Sequence, residues 1–284
     1  MLALGFAILS LLCAAINDIL FKLYAGKRCA LGPYLFIIGA IWAIFFAIIA
    51  GPQSILNITG VSLKWGIISG VFSVFANIML IEAMSRQEVG VCATIYRLNL
   101  VPAAIFAIAF MGEAFSVWKL LGILAAILAV ILFSYSSGGA RQANRNLIGM
   151  WFIVGASLLR AGMGISYKCG LNYGGDMFII LTLNGIVWMI CGFLYFMFLE
   201  KQGTKNSWAS FSFGLPSGIF VCGIAGFMIL ALEKGDASTV LPVSQLSFFV
   251  TALLGVFFLK ENLTRKKSFG LLMAVVCILF MTMV

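Results

Sequence analysis

The chain has no histidine and very few charged residues, and both absences limit what chemistry it can do. Without histidine it lacks the commonest general base near neutral pH and the commonest imidazole metal ligand. Charged residues make up only 10% of the sequence, against about 25% in a typical soluble domain. The seven cysteines include no pair at C-x-x-C spacing, so they read as small packing residues and not as a redox or metal site. An intramembrane aspartyl protease needs two facing aspartates, yet the aspartates are Asp18, Asp176 and Asp236, the latter two at helix starts. The chain is therefore not expected to be an enzyme.

What is abundant is apolar sequence, at 63% of residues. A helix crosses the hydrocarbon of a bilayer in about 20 residues, and stretches near that length run approximately over 3–22, 33–50, 64–84, 89–111, 116–135, 147–169, 177–199, 211–232, 237–259 and 265–284. Strands of a membrane barrel would alternate apolar and polar residues, whereas these runs are apolar on all sides. The expected fold class is all-α membrane with ten transmembrane helices. The first run lacks the basic leader of a signal peptide and carries Asn17 and Asp18 where a small-residue cleavage site would lie, so it reads as a retained helix. The net charge of +9 comes mostly from residues at helix ends, which suits membrane flanks and not a nucleic-acid partner.

The chain repeats itself. At a shift of 148, Ile81, Ala83, Leu98, Ala104, Phe110, Glu113, Lys119 and Gly122 fall on Ile229, Ala231, Leu246, Ala252, Phe258, Glu261, Lys267 and Gly270. The clearest stretch sets GEAFSVWKLLG at 112–122 beside KENLTRKKSFG at 260–270, with Ser116 and Thr264 as helix N-caps. Earlier, Phe21-Lys22 and Tyr167-Lys168 match at a shift of 146. The expected units are residues 1–138 and 147–284, each with five helices. Five is odd, so the second unit enters the membrane from the opposite side. Inverted repeats are a physical route to alternating access at a central site.

The order of these motifs resembles the drug/metabolite transporter superfamily, specifically its EamA-type members. The resemblance is carried by EAMSRQEVGVCATIY at 82–96 with ALEKGDASTVLPVS at 231–244, then by the Gly112-Glu113 and Lys260-Glu261 turns and the glycines Gly122 and Gly270. It implies a ten-helix bundle, no cofactor, and transport of small metabolites such as amino acids or their analogues. Two positions depart from the pattern: Lys260 stands where the first half has Gly112, and Pro102 lies closer to its Gly-Glu turn than is usual. A flippase of a lipid-linked substrate is the alternative function on the same fold.

Ionisable residues within hydrocarbon are functional candidates because they are costly there. Arg97 and Arg160 fall well inside the fourth and sixth runs, at depths of roughly 12–20 Å by helical rise. They are candidates to bind an anionic or zwitterionic solute, with packing against a buried carboxylate as the competing role. Asn17, Tyr96, Asn184 and Gln245 are candidate hydrogen-bonding partners of the solute. Asp18 and Lys22, four residues apart, are a candidate ion pair or a coupling site. Trp42, Trp151 and Trp188 either wall a cavity or face lipid. Gly66 with Gly70, and Gly218 with Gly223, mark close-packing helix surfaces. Glu113 and Glu261 are expected at equivalent loops, outside the cavity.

The expected setting is the cell membrane (inner membrane), crossed several times, with a small solute and the surrounding lipid as partners and either a monomer or a homodimer as the assembly. Basic residues crowd the odd-numbered connections, which by the positive-inside rule places both termini outside the cytoplasm. The family resemblance implies the reverse.

Overall fold

The computed structural model describes residues 2–27, 29–111, 116–134, 140–200, 207–234, 240, 243–262 and 264–282. Among these residues the structure is helical, without strands. The helices are α1 Leu2–Lys27, α2 Leu31–Leu56, α3 Gly60–Met84, α4 Val89–Arg97, α5 Leu100–Met111, α6 Val117–Ser134, α7 Ala140–Asn172, α8 Met177–Leu199, α9 Ser207–Lys234, α10 Ser247–Leu259 and α11 Arg265–Thr282. Seven spans are long and apolar enough to cross a membrane by themselves, and shorter apolar helices add to them. α4 and α5 together make the fourth span, and α10, with the helical residues 243–245 before it, belongs to the ninth.

The sequence explains several of the boundaries. Inside α2, Gly51 adopts φ 77°, ψ 163°, a conformation closed to residues with a Cβ, and Pro52 follows it without a backbone N–H. The regular part of α2 therefore stops at Ala50. α8 starts on Asp176, whose Oδ1 accepts from the N–H groups of Phe178 and Ile179 at 2.8 and 3.2 Å. α10 ends at Lys260, which takes the left-handed conformation (φ 54°, ψ 36°) that glycine adopts without strain. Lysine is thus held where the first repeat carries Gly112. Gly112, Glu113 and Asp236 lie outside the described residues.

Helix pairings exchange in register when the two halves are swapped. α1 packs on α9 as α7 packs on α3, α2 on α9 as α8 on α3, and α2 meets α8, α6 meets α11 and α4 meets α10 as self-related pairs. The correspondence extends to single residues. A Cβ at Gly66 or Gly70 would meet Leu183 or Val187, and one at Gly214 or Gly218 would meet Ile37 or Ile41, their repeat mates at shifts of 148 for α3/α9 and 146 for α2/α8. Gly39 and Gly185 are themselves mates and pack on each other's helix, so that a Cβ on Gly39 would lie 2.7 Å from the Gly185 carbonyl oxygen. Beside them the mates Trp42 and Trp188 meet edge to face at 5.8 Å. These contacts mark where an approximate two-fold axis passes between α2 and α8. With five spans per half, the fold is all-α membrane with two inverted repeats.

Two spans are interrupted at matching positions. Leu98 donates its N–H to Ile95 O at 3.1 Å and accepts from Val101 at 3.0 Å; Leu246 donates to Val243 O at 3.2 Å and accepts from Phe249 at 3.0 Å. These i to i+3 bonds tighten the chain for one turn. In the first half Pro102 supplies a cause, because it has no N–H to offer the Leu98 carbonyl. The outer surface is apolar, with Ile48, Trp151, Phe198 and Phe257 among its most exposed side chains, as lipid requires.

Candidate functional site

A cavity of about 370 Å³ lies where the broken spans face α1, α2, α3, α7, α8 and α9. That is the lower end of small-molecule pockets. At one end its lining reaches the helix termini at Met177 and Leu232; towards the other it stops at Phe21 and Leu80, beneath the turn 85–88 that joins α3 to α4. This second end is tied by charge. Lys22 Nζ donates to the carbonyls of Met84 at 2.7 Å and Gln87 at 2.5 Å. Glu261 accepts from the N–H groups of Val89 at 2.7 Å and Gly90 at 3.4 Å, capping α4 from the opposite repeat. Lys267 pairs with Glu88 at 2.5 Å. Burial raises the Glu261 carboxyl above the usual glutamate range, against the lowering pull of those N–H groups and of Lys22.

Both arginines reach the cavity. Arg97 closes α4 immediately before the break, 9% exposed, with one amino group 3.7 Å from Asp18 Oδ2. Thr251 of α10 donates its hydroxyl to the same oxygen at 3.0 Å. Arg160, on α7, has no carboxylate within ion-pair distance among the described residues and donates only to the Met163 sulfur at 3.2 Å. The two guanidinium carbons lie 5.9 and 5.7 Å from the centroid of the Tyr96 ring, within cation–π range.

Buried polar groups normally have partners, and each exception calls for an explanation. Among the described residues seven side-chain atoms are buried without one; Asn17 Oδ1, Trp42 Nε1, Tyr96 Oη, Arg97 Nε and Gln245 Oε1 belong to residues that line this cavity, whereas Arg86 Nη1 and Ser247 Oγ do not. In a dry wall such atoms would each cost about 1–3 kcal/mol. A polar occupant removes that cost.

Of the sequence candidates, Arg97, Arg160, Asn17, Tyr96, Gln245 and Asp18 are brought together on the wall. Asn184 is not. It is fully buried behind the wall, accepting from Ser69 at 3.0 Å and donating to the Tyr167 hydroxyl at 2.7 Å, so it positions Tyr167, which does line the cavity. The Asp18–Lys22 pair is also corrected: Asp18 pairs with Arg97 on another helix, while Lys22, nearer the helix end, reaches the carbonyls that close α3. Trp42 and Trp188 wall the cavity, whereas Trp151 is 76% exposed on the lipid side. Glu261 lies off the cavity wall, in the turn after α10. Ser73 of α3 was the least legible polar wall residue; its polarity inside an apolar run was the available signal.

A solved structure described as "Crystal structure of protein" is similar to this chain with a TM-score of 0.62 at 13% identity, over 98% of this chain and 95% of that one. That likeness concerns the fold. No curated protein matches the sequence. The sequence profile described as the EamA-like transporter family matches twice, over residues 1–135 and 147–283. With nearly the whole chain matched, in two repeats, the protein belongs to the EamA-like transporter family, multi-pass membrane transporters of small solutes.

Proposed function

We propose that the protein moves small anionic or zwitterionic solutes across the cell membrane by alternating access, with the cavity between the two repeats, residues 1–138 and 147–284, as the solute site. The observation that carries this reading is the convergence of unpartnered buried polar atoms on a cavity lined by Arg97 and Arg160. A guanidinium presents a planar fork of donors that matches carboxylate or phosphate oxygens, and such charge-assisted bonds strengthen away from water. Asn17, Tyr96 and Gln245 orient the solute beside it. Alternating access is supported by the exchange symmetry of the helix pairings.

The test is a metabolite screen with the purified chain in proteoliposomes, reading uptake and export. Accumulation of anionic or zwitterionic solutes, lost in Arg160→Gln, is the expected result. Selective transport of cations or neutral solutes refutes the reading, and movement of a lipid-linked substrate instead would make the protein a flippase.

A further inference from the structure

The two repeats share a scaffold but not a cavity wall. Aligning the repeat mates that line the cavity sets Asn17 against Met163 and Asp18 against Gly164 at a shift of 146, and Ser73 against Val221 and Asn77 against Ala225 at a shift of 148. In each pair the polar member belongs to the first half. Arg160, whose mate is Ala14, and Tyr167, whose mate is Phe21, are exceptions. At these four mated positions the wall is polar on the first half and apolar on the second, although the backbone around them is related by two-fold symmetry.

The same comparison explains one unpartnered donor. Trp188 donates its indole N–H to Ser73 Oγ at 3.1 Å. By symmetry Trp42 would donate to the mate of Ser73, which is Val221 and offers no acceptor. The Trp42 N–H is thus left free on the cavity wall, and Tyr96 Oη and Arg97 Nε are free there too. The charges on the wall point the same way. Among the described lining residues there is one carboxylate, Asp18, against two guanidiniums, Arg97 and Arg160, so a single negative charge in the solute balances the site. A zwitterion would leave one positive charge uncompensated in a low-dielectric space.

We infer that the solute is an amphipathic monoanion, one acidic group on an apolar body without an ammonium group, and that Trp42 is one of its specificity-determining contacts. The acidic group takes the donors Trp42 Nε1, Tyr96 Oη and Arg97 Nε, and the body lies against Met163, Ala225 and Met228. The inference rests on the proposed transport of anionic or zwitterionic solutes and narrows it.

Equilibrium binding to the purified full chain in detergent, with four probes sharing one apolar body, tests it: 3-phenylpropionate, phenylalanine, benzylmalonate and 2-phenylethylamine. The monoanion is expected to bind at least about ten-fold tighter than the others, since one lost charge-assisted hydrogen bond is worth that much. Trp42→Phe keeps an aromatic ring, though a smaller one, and removes the N–H, and Val221→Ser gives Trp42 the partner that Ser73 gives Trp188. Each is expected to weaken 3-phenylpropionate by about ten-fold, and the double variant no further, with the thermal unfolding of each variant unchanged, which a structural effect on packing would shift. Equal or tighter binding of phenylalanine overturns the monoanion while leaving the proposed function standing, whereas preference for 2-phenylethylamine overturns both. If no probe binds, the apolar-body inference fails and the proteoliposome screen alone decides the broader reading. Unchanged affinity in Trp42→Phe and Val221→Ser overturns the role of Trp42.

Discussion

Replacing Gly185 by alanine is expected to destabilise the whole protein, because that glycine allows the backbones of α2 and α8 to touch. A Cβ there would lie 2.4 Å from the Ala43 nitrogen and 2.7 Å from its Cα, whereas non-bonded heavy atoms settle at about 3.5–4 Å. The obstacle is backbone, so no side chain can turn away and the helices have to separate by about 1 Å. Overpacking of a tight core costs about 1–3 kcal/mol, and the upper part of that range is expected because the contact lies on the symmetry axis between the two halves. Gly39→Ala meets the mirror obstacle, 2.7 Å from the Gly185 oxygen and 2.7 Å from the Met189 nitrogen. The double variant is expected to cost less than the two single variants added, since one separation accommodates both methyls. Thermal unfolding in detergent can be followed by a thiol-reactive fluorophore, because Cys92, Cys222 and Cys277 are free and buried. Gly5→Ala is the control, with nothing within 4 Å of the added carbon. If Gly185→Ala unfolds at the same temperature as Gly5→Ala, the close approach of α2 and α8 is not what stabilises the bundle.

Other consequences concern charge and strain. Arg97→Gln strands Asp18 and is expected to cost about 3–5 kcal/mol, whereas adding Asp18→Asn to it should recover much of that stability in the same thermal assay. Lys260→Gly relieves a left-handed lysine, a strain of about 1–2 kcal/mol, and after the entropy that glycine adds to the unfolded chain a small gain in stability remains to be read by denaturant unfolding. The charged clasp of Lys22, Glu261 and Lys267 should respond to pH. Burial raises the Glu261 carboxyl, so the closed end is favoured at acid pH, and that contribution is lost as pH rises from the ordinary glutamate value, about 4.3, through the raised one. A cysteine at Leu80, just beneath the clasp, should then be labelled faster by a membrane-impermeant maleimide as pH rises, and Glu261→Gln should flatten the profile; a profile that keeps its slope in Glu261→Gln assigns the effect elsewhere.

The bundle was legible because lipid leaves few options: an apolar run must be a helix, and the second run ends at Ala50 where Gly51 and Pro52 break α2. The charged candidates were legible for the same reason, since Arg97 and Arg160 cannot face hydrocarbon and had to converge inside. What stayed hidden depended on the partner helix. Asp18 sits four residues from Lys22, yet the groups that reach it, Arg97 and Thr251, come from α4 and α10. Asn184 looked equivalent to Asn17, and only the position of Tyr167 and Ser69 shows that its amide is already used. The 146 shift, carried through the second helices, aligns Gly39 with Gly185 and Trp42 with Trp188, a signal present in the sequence that points at the axis.

Several mated positions differ in polarity where the solute would sit, and a physical reason follows from alternating access. If the two halves exchange conformations, the contacts that set the shapes they exchange have to match: the glycine pairs Gly66 and Gly214, Gly70 and Gly218, Gly39 and Gly185, and the tightened turns at Leu98 and Leu246 do so. The solute is under no such constraint, because a small molecule with one charged end is itself asymmetric. A wall with two-fold chemistry would present each end of that molecule with the same groups and leave polar atoms stranded against its apolar part, at about 1–3 kcal/mol each. Replacing Ser73, Asn77 and Asp18 by Val221, Ala225 and Gly164 at the mated positions removes those stranded atoms. The mates Arg97 and Gln245, each one residue before its turn, keep the polar character at both breaks but the charge at one. Symmetry in the backbone and asymmetry on the wall are thus two requirements of one mechanism, in which the same solute pose has to survive while the scaffold around it inverts.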